Sequence, residues 1–191
     1  MGDQRRAEIL DQAMALLIED GIAALTMKRV AERMGFTEPA MYRHFRNKQD
    51  LVIHLVRRTR DRFSSFYEGC DPADPPEVFL RQFLFSLLAF LDQVDGVTIL
   101  FLSDSAYNRD DKIRAEMEAL LGEQLGRLRA YLTLARERGE VREDLHPDAA
   151  ALVLMGAVQA LTIRHILVQQ RPPIASQGEA VLDVLLRGVL S

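Results

Sequence analysis

The chain has 191 residues, with 24 Lys and Arg against 28 Asp and Glu, 48% hydrophobic and 27% charged, and one cysteine. That is the composition of a globular chain with a real core, so disordered and fibrous classes are excluded, and Cys70 alone supports neither a disulfide framework nor a multi-cysteine zinc site. The longest uncharged run, residues 149–163, is shorter than the ~18 residues of a membrane span, and charges in MGDQRRAEIL replace the apolar centre of an export signal; a cytoplasmic protein without membrane contact is expected.

Charge is unevenly placed. Residues 1–60 hold 11 basic and 8 acidic side chains, and the other 131 hold 13 and 20. A basic end on an acidic protein points to a polyanion as its partner.

The periodicity along the chain is helical throughout. Ile9, Ala13, Leu16 and Leu17 share one face of a first helix that stops at Gly21. Thr26 is placed to cap a two-turn helix with Met27, Val30, Ala31 and Met34 inward, ending at Gly35. Thr37 is placed to cap a third helix through Phe45, with Pro39 near its start and Met41 and Phe45 facing inward. Asn47 and Asp50, three apart, open a long fourth helix running to Phe66. DPADPP, residues 71–76, is the clearest linker in the chain. Helices are then predicted over 77–94, 97–107, 110–138 and 148–170, with a last one ending near Leu190. The expected fold class is all-α, about nine helices, without internal repeats.

Two short helices joined by a Gly-containing turn make a helix-turn-helix, whose second helix can enter a DNA major groove. Lys28, Arg29, Arg33, Arg43, Arg46 and Lys48 fall in this window against Glu32, Glu38 and Asp50. Arg43 has the fork that reads guanine O6 and N7, while Tyr42 and His44 carry hydrogen-bonding tips for phosphate oxygens. Tyr42 has a rival role as a half-buried core tyrosine. Arg5 and Arg6 either reach flanking phosphates or fray in solvent.

The run GIAALTMKRVAERMGFTEPAMYRHFRNKQDLV resembles the N-terminal DNA-binding domain of the TetR family of bacterial transcriptional regulators. The resemblance covers about residues 7–55. Its specific part is the Tyr42-x-x-Phe45-x-Asn47-Lys48 spacing downstream of the Ala31–Gly35 approach to the turn. It implies a one-component regulator, in the first instance a repressor, that binds a palindromic double-stranded operator as a homodimer. Residues 1–46 would form the DNA-binding domain, and residues 47–191 a helical domain for dimerisation and a largely apolar small-molecule effector. By position, Thr26, Met27 and Lys28 lie at the backbone-facing start of helix two, with Thr37 opening the next helix. Glu38, Pro39, Ala40 and Arg43 fall where bases are read, and Tyr42, His44 and Lys48 match phosphate contacts. Phe36 and Met41 depart from the family's usual aliphatics. Glu38 puts an acid toward DNA, so Arg43 is the stronger specificity candidate.

Beyond residue 60 no motif carries over. His54, Phe83, Ser86, Phe101, Tyr107 and Tyr131 are the candidate effector contacts, with plain core as the alternative for each aromatic. The small residues between Ala149 and Ala160 suit a close helix seam. This places Leu152, Gly156, Gln159 and Ala160 at a dimer interface with Val181, Val184 and Leu185 of the final helix. A buried intrachain helix would read the same way. The long helix opening at Asn47 is expected to transmit the effector's signal by its tilt. The four histidines lack metal-ligand spacing, no catalytic motif occurs, and Cys70 has no nearby base, so neither enzyme activity nor a cofactor or metal is expected. A helical partner-binding or architectural DNA-binding protein without an inducer is the alternative function.

Overall fold

The fold is taken from a computed structural model, which describes residues 2–96, 98, 101, 110–168 and 172–190. Among these residues there are eight α-helices, one 3-10 turn at Ile22–Ala24 and no strand. The helices are α1 Gly2–Asp20, α2 Met27–Arg33, α3 Glu38–Met41, α4 Lys48–Phe66, α5 Pro76–Gln93, α6 Asp111–Glu137, α7 Pro147–Leu167 and α8 Ile174–Leu190. The helix expected over 97–107 falls almost wholly outside the described residues.

The chain divides into two compact units, residues 1–61 with 100–118, and residues 62–99 with 119–191. One break in packing thus falls inside α4. Its cause is the first half of α4, where Leu51, Val52, Leu55 and Val56 are all buried in the first unit.

In the first unit, α1 buries Ile9, Ala13, Leu16 and Leu17, and α2 buries Met27, Val30 and Ala31. Gly35 has φ +66°, a left-handed conformation in which a side chain is strained, and it turns the chain between α2 and α3. Thr26 caps α2, its hydroxyl accepting from the Arg29 N–H at 3.2 Å. Thr37 occupies the same position for α3 but makes no such bond. Helix α3 is shorter than expected. After Met41 the backbone tightens to three-residue closures, Arg43 N–H to Ala40 O and His44 N–H to Met41 O, which end an α-helix. Asn47 then caps α4 by accepting from the Asp50 N–H at 2.8 Å, while the Asp50 carboxylate accepts from the Arg46 N–H at 2.9 Å. Together these form a reciprocal cap shifted by one residue.

In the second unit α5 buries Leu80, Phe83, Leu84, Leu87 and Phe90, and packs with α7 and α8. Asp92 caps α8, accepting from the Ile174 and Ala175 N–H groups at 2.5 and 3.0 Å. Buried His165 bridges the Pro172 carbonyl and the Asp95 carboxylate, at 3.1 and 3.0 Å, and so ties the turn after α5 to the segment before α8.

The uncharged run of residues 149–163 lies inside a longer helix. Helix α7 has 21 residues, and an 18-residue window of it with a mean hydropathy of 1.6 is long and apolar enough to cross a membrane by length and composition alone. Its Ala151, Leu154, Met155, Val158 and Leu161 are buried within the unit, as in a core helix.

Candidate functional site

The turn that carries Tyr42 and Arg43 is held by what lies behind it. Met41 and Phe45, 0% and 1% exposed, anchor its inner side. Arg6 stacks over the Phe45 ring at 5.1 Å, and its guanidinium lies 2.9 Å from Nε2 of His54, which packs edge-on against Phe45. His54 Nδ1 is 2.7 Å from the Asp50 carbonyl. A carbonyl only accepts and a guanidinium only donates, so in this arrangement Nδ1 donates to Asp50 and Nε2 accepts from Arg6. Arg5 similarly sits over Phe36, at 5.4 Å. Both arginines of the N-terminal arm are therefore braces of the motif. His54, expected as an effector contact, belongs to the first unit and to this brace.

On the outer side, Thr26, Lys28, Thr37, Pro39, Tyr42 and Arg43 are exposed, and Glu38, Ala40, His44 and Lys48 are half-buried. The Arg43 guanidinium has no ion pair among the described residues. The Tyr42 hydroxyl donates to Glu38 at 3.2 Å. Partial desolvation and then this acid push the phenol above its usual value, so it stays a protonated donor. The same bond turns Glu38 toward Tyr42, which moderates the repulsion expected of an acid facing phosphate. Lys48 donates to the Ile22 carbonyl at 3.3 Å, tying α4 to the 3-10 turn ahead of α2 and leaving two ammonium protons for another acceptor.

Three positions differ from the reading of the sequence. The Met27 side chain is 6% exposed and is core, so only its backbone N–H remains at the helix start. Arg29 pairs with Asp20 at 2.7 Å, and Arg33 pairs with Glu19 and Asp20. The Arg33 hydrogen bond holds Glu19 below the usual carboxylate range. Counting bases along the sequence therefore overstates the free positive charge by these two residues. Lys28 keeps only a loose, exposed contact with Glu32 at 4.0 Å, which costs it little freedom.

The second unit holds a cavity of about 270 Å³ between the end of α4, the linker, α5 and α6. Phe83 and Tyr131, both expected, line it together with Tyr67, Cys70, Pro72, Phe79 and Arg127. Tyr131 stacks on Phe79 at 3.6 Å and donates to the Asp74 carbonyl at 2.7 Å, and burial pushes its phenol up to about 12. Tyr67 stacks on Phe83 at 4.4 Å, with the Arg127 guanidinium 5.3 Å from its ring. Burial pushes the Cys70 thiol up, against the pull of Arg127. Of the other candidates, Phe101 is buried in the first unit, Ser86 is half-buried on α5 away from this cavity, and Tyr107 lies outside the described residues. Tyr67, Cys70 and Arg127 were missed. Arg127, Ala130, Tyr131 and Leu134 fall at i, i+3, i+4 and i+7 on α6, and that spacing was the available signal.

The expected seam residues sit on the outer face of α7 and on α8. Leu152 and Val184 are 63% and 73% exposed, Gly156 and Ala160 are exposed, and Gln159, Val181 and Leu185 are half-buried. Ile163 and Leu167 extend the same exposed apolar face. An added Cβ at Gly156 would meet nothing within 4 Å, so this chain's own packing does not call for a glycine there.

Residues 9–55 match the family model "Bacterial regulatory proteins, tetR family". The chain is 23% identical to the fatty acid metabolism regulator protein of Bacillus subtilis, over 95% of this chain and 94% of that one. It is 25% identical to the HTH-type transcriptional regulator TtgR of Pseudomonas putida, over 94% and 89%. Its fold matches the crystal structure of the transcriptional regulator FadR from Bacillus subtilis in complex with stearoyl-CoA, with a TM-score of 0.80 at 18% identity, covering 95% of this chain and 98% of that one. Residues 9–55 are thus identified with the DNA-binding domain of the bacterial tetR-family regulatory proteins, and the relatives that match along most of the chain are transcriptional regulators.

Proposed function

We propose that the protein is a one-component repressor that occupies a palindromic operator as a homodimer and leaves it when a small, largely apolar molecule fills the cavity of the second unit. The observation that carries this is the Tyr42–Arg43 turn: exposed, basic, and fastened from behind by Phe45, His54 and Arg6. Arg43 reads a base, while Tyr42, Lys48 and Lys28 hold the phosphate backbone. Thr26, Thr37, Pro39, Ala40 and His44 flank these contacts. The exposed apolar face of α7 with Val184 of α8 supports a two-fold seam between copies. The stearoyl-CoA complex of FadR supports a small-molecule effector in the helical part.

Release follows from differential affinity. A dimer reads two half-sites in step only when its recognition segments sit ~34–36 Å apart, and an effector that prefers another spacing lowers operator affinity. A coupling of about 1–3 kcal/mol is enough to shift occupancy substantially. Helix α4 begins one residue after the cap at Asn47 and ends next to Tyr67, so its tilt carries the change. The test is a gel shift on the chain's own promoter region, followed by crystals with and without effector. Absence of specific binding overturns the regulator assignment, and identical spacing of the recognition segments in both crystals overturns the release mechanism.

A further inference from the structure

The brace behind the Tyr42–Arg43 turn depends on a single proton. Arg6 holds its guanidinium 5.1 Å over the Phe45 ring and 2.9 Å from His54 Nε2, and His54 meets the same ring edge-on at 5.4 Å. Phe45 is 1% exposed and ends the turn by donating its N–H to the Met41 carbonyl at 3.0 Å. Ring, guanidinium and imidazole therefore fix one another.

Nε2 keeps Arg6 in place only by offering a lone pair. Nδ1 lies 2.7 Å from the Asp50 carbonyl, so in this arrangement the ring's proton faces Asp50 and Nε2 faces Arg6 bare. A second proton has only Nε2 to occupy. There it sets two donors and two positive charges against each other at 2.9 Å. The surrounding charges decide which partner yields. On α4, the Asp50 carboxylate is 3.5 Å from Nδ1 and favours the charged ring, while it also accepts from the Arg46 N–H and acts on Arg57. Arg58, one turn further along, is tied to Asp11 and to the Ala7 carbonyl. On α6, Glu116 is paired with Arg57 and Arg60. The turn itself presents the uncharged Phe45 ring. Of the arginines on α1 and α4 named here, Arg6 alone has no ion pair among the described residues, so Arg6 is the group that moves.

We infer that His54 is a positioning residue for the DNA-reading turn: uncharged, it holds Arg6 against Phe45, and charged, it lets the turn loosen, so that operator discrimination declines in acid. The inference rests on the Tyr42–Arg43 turn being the reader of DNA. Histidine is the side chain whose ordinary charge change falls between pH 5 and 8, so the test compares pH 8 with pH 5.5. Fluorescence anisotropy at fixed salt gives the ratio of affinities for the operator fragment and a scrambled duplex. That ratio is expected to fall about 3- to 10-fold in the unaltered protein, the span of one ordinary hydrogen bond. His54→Gln, whose side-chain oxygen can accept from Arg6 without titrating, keeps more of its ratio. His54→Lys, a fixed cation beside Arg6, has the low ratio at both pH values. His44 titrates in all three proteins, so only the difference between the parent and His54→Gln is assigned to His54. Added charge by itself strengthens binding to both duplexes and leaves the ratio alone.

The brace is also read without DNA. Long-range proton–nitrogen spectra of the unaltered protein follow the His54 ring, and the Arg6 guanidinium and Phe45 ring resonances are expected to shift with the same midpoint. The inference is overturned if the ratio holds in the parent, if it falls equally in His54→Gln, or if Arg6 and Phe45 stay unmoved while His54 gains its proton. The spectra decide the matter even if the variants fail to fold. Absence of any preference for the operator at pH 8 refutes the DNA-reading assignment, and the proton-dependent brace is then judged on the spectra alone.

Discussion

Gly156→Leu separates the packing of one chain from the packing of two. Gly156 lies on the outer face of α7, with Leu152 and Ala160 one turn to either side, and a Cβ there meets nothing within 4 Å. Within the monomer the change replaces a poor helix former by a good one, a gain of about 0.7 kcal/mol. If two copies of α7 meet at this glycine, symmetry introduces the new side chain twice. Overpacking costs about 1–3 kcal/mol per site, so the dimer loses about 2–6 kcal/mol and dissociates at least about 30-fold more readily. Sedimentation velocity across a dilution series measures the second quantity, and thermal melting at high dilution the first. A weakened dimer built from a monomer of equal or higher stability is the expected result. An unchanged dimer affinity refutes the assignment of the seam, and a destabilised monomer refutes the reading that this position is open within the chain.

The two roles at the DNA-facing turn separate by salt. Arg43→Ala should cost about 1–3 kcal/mol and relax preference at one base pair, while Lys48→Ala should weaken all sequences alike and lower the salt slope by about one, both read by fluorescence anisotropy on operator and scrambled duplexes. Thr26→Ala removes the only side-chain cap of a seven-residue helix and is expected to cost about 1 kcal/mol in urea unfolding, with Thr26→Ser restoring most of it. Asp110 is held below its ordinary value. Burial opposes its charge, but hydrogen bonds from Gln49 and from the Ile113 and Lys112 N–H groups outweigh it. A lowered carboxylate stabilises the fold fully above its unfolded value of 3.8, and that share fades as pH falls through the lower folded value. Asp110→Ala should therefore be less stable than the parent at pH 6, with the gap narrowing below about pH 3.8 in acid melts.

Helix positions and the inward faces of α1, α2 and α4 were legible because burial of Ile9, Leu17, Val30 and Leu55 writes a 3.6-residue period directly into the chain. The caps at Thr26 and Asn47 were legible for the same reason, being local. What depended on distant partners was not. Arg29 and Arg33 count among the free bases of the window until Glu19 and Asp20 are brought beside them, and the contact of His54 with Arg6 depends on the first helix. Met27 shows the limit of carrying a role over by position, since its side chain follows the hydrophobic pattern inward. In the cavity, Phe83 and Tyr131 were found by being aromatic. Tyr67 and Arg127 were not, because one sits in a turn and the other carries a charge on a face that only tertiary packing encloses.

The pairing of Arg29 and Arg33 with the end of α1 bears on how the regulator travels. Under the proposed function, each guanidinium paired in this way displaces one fewer counterion from random duplex, so weaker grip on chromosomal sequence at large is expected, with base reading by Arg43 unaffected. Shorter stays at wrong sites would then favour a search by frequent release over one by long sliding.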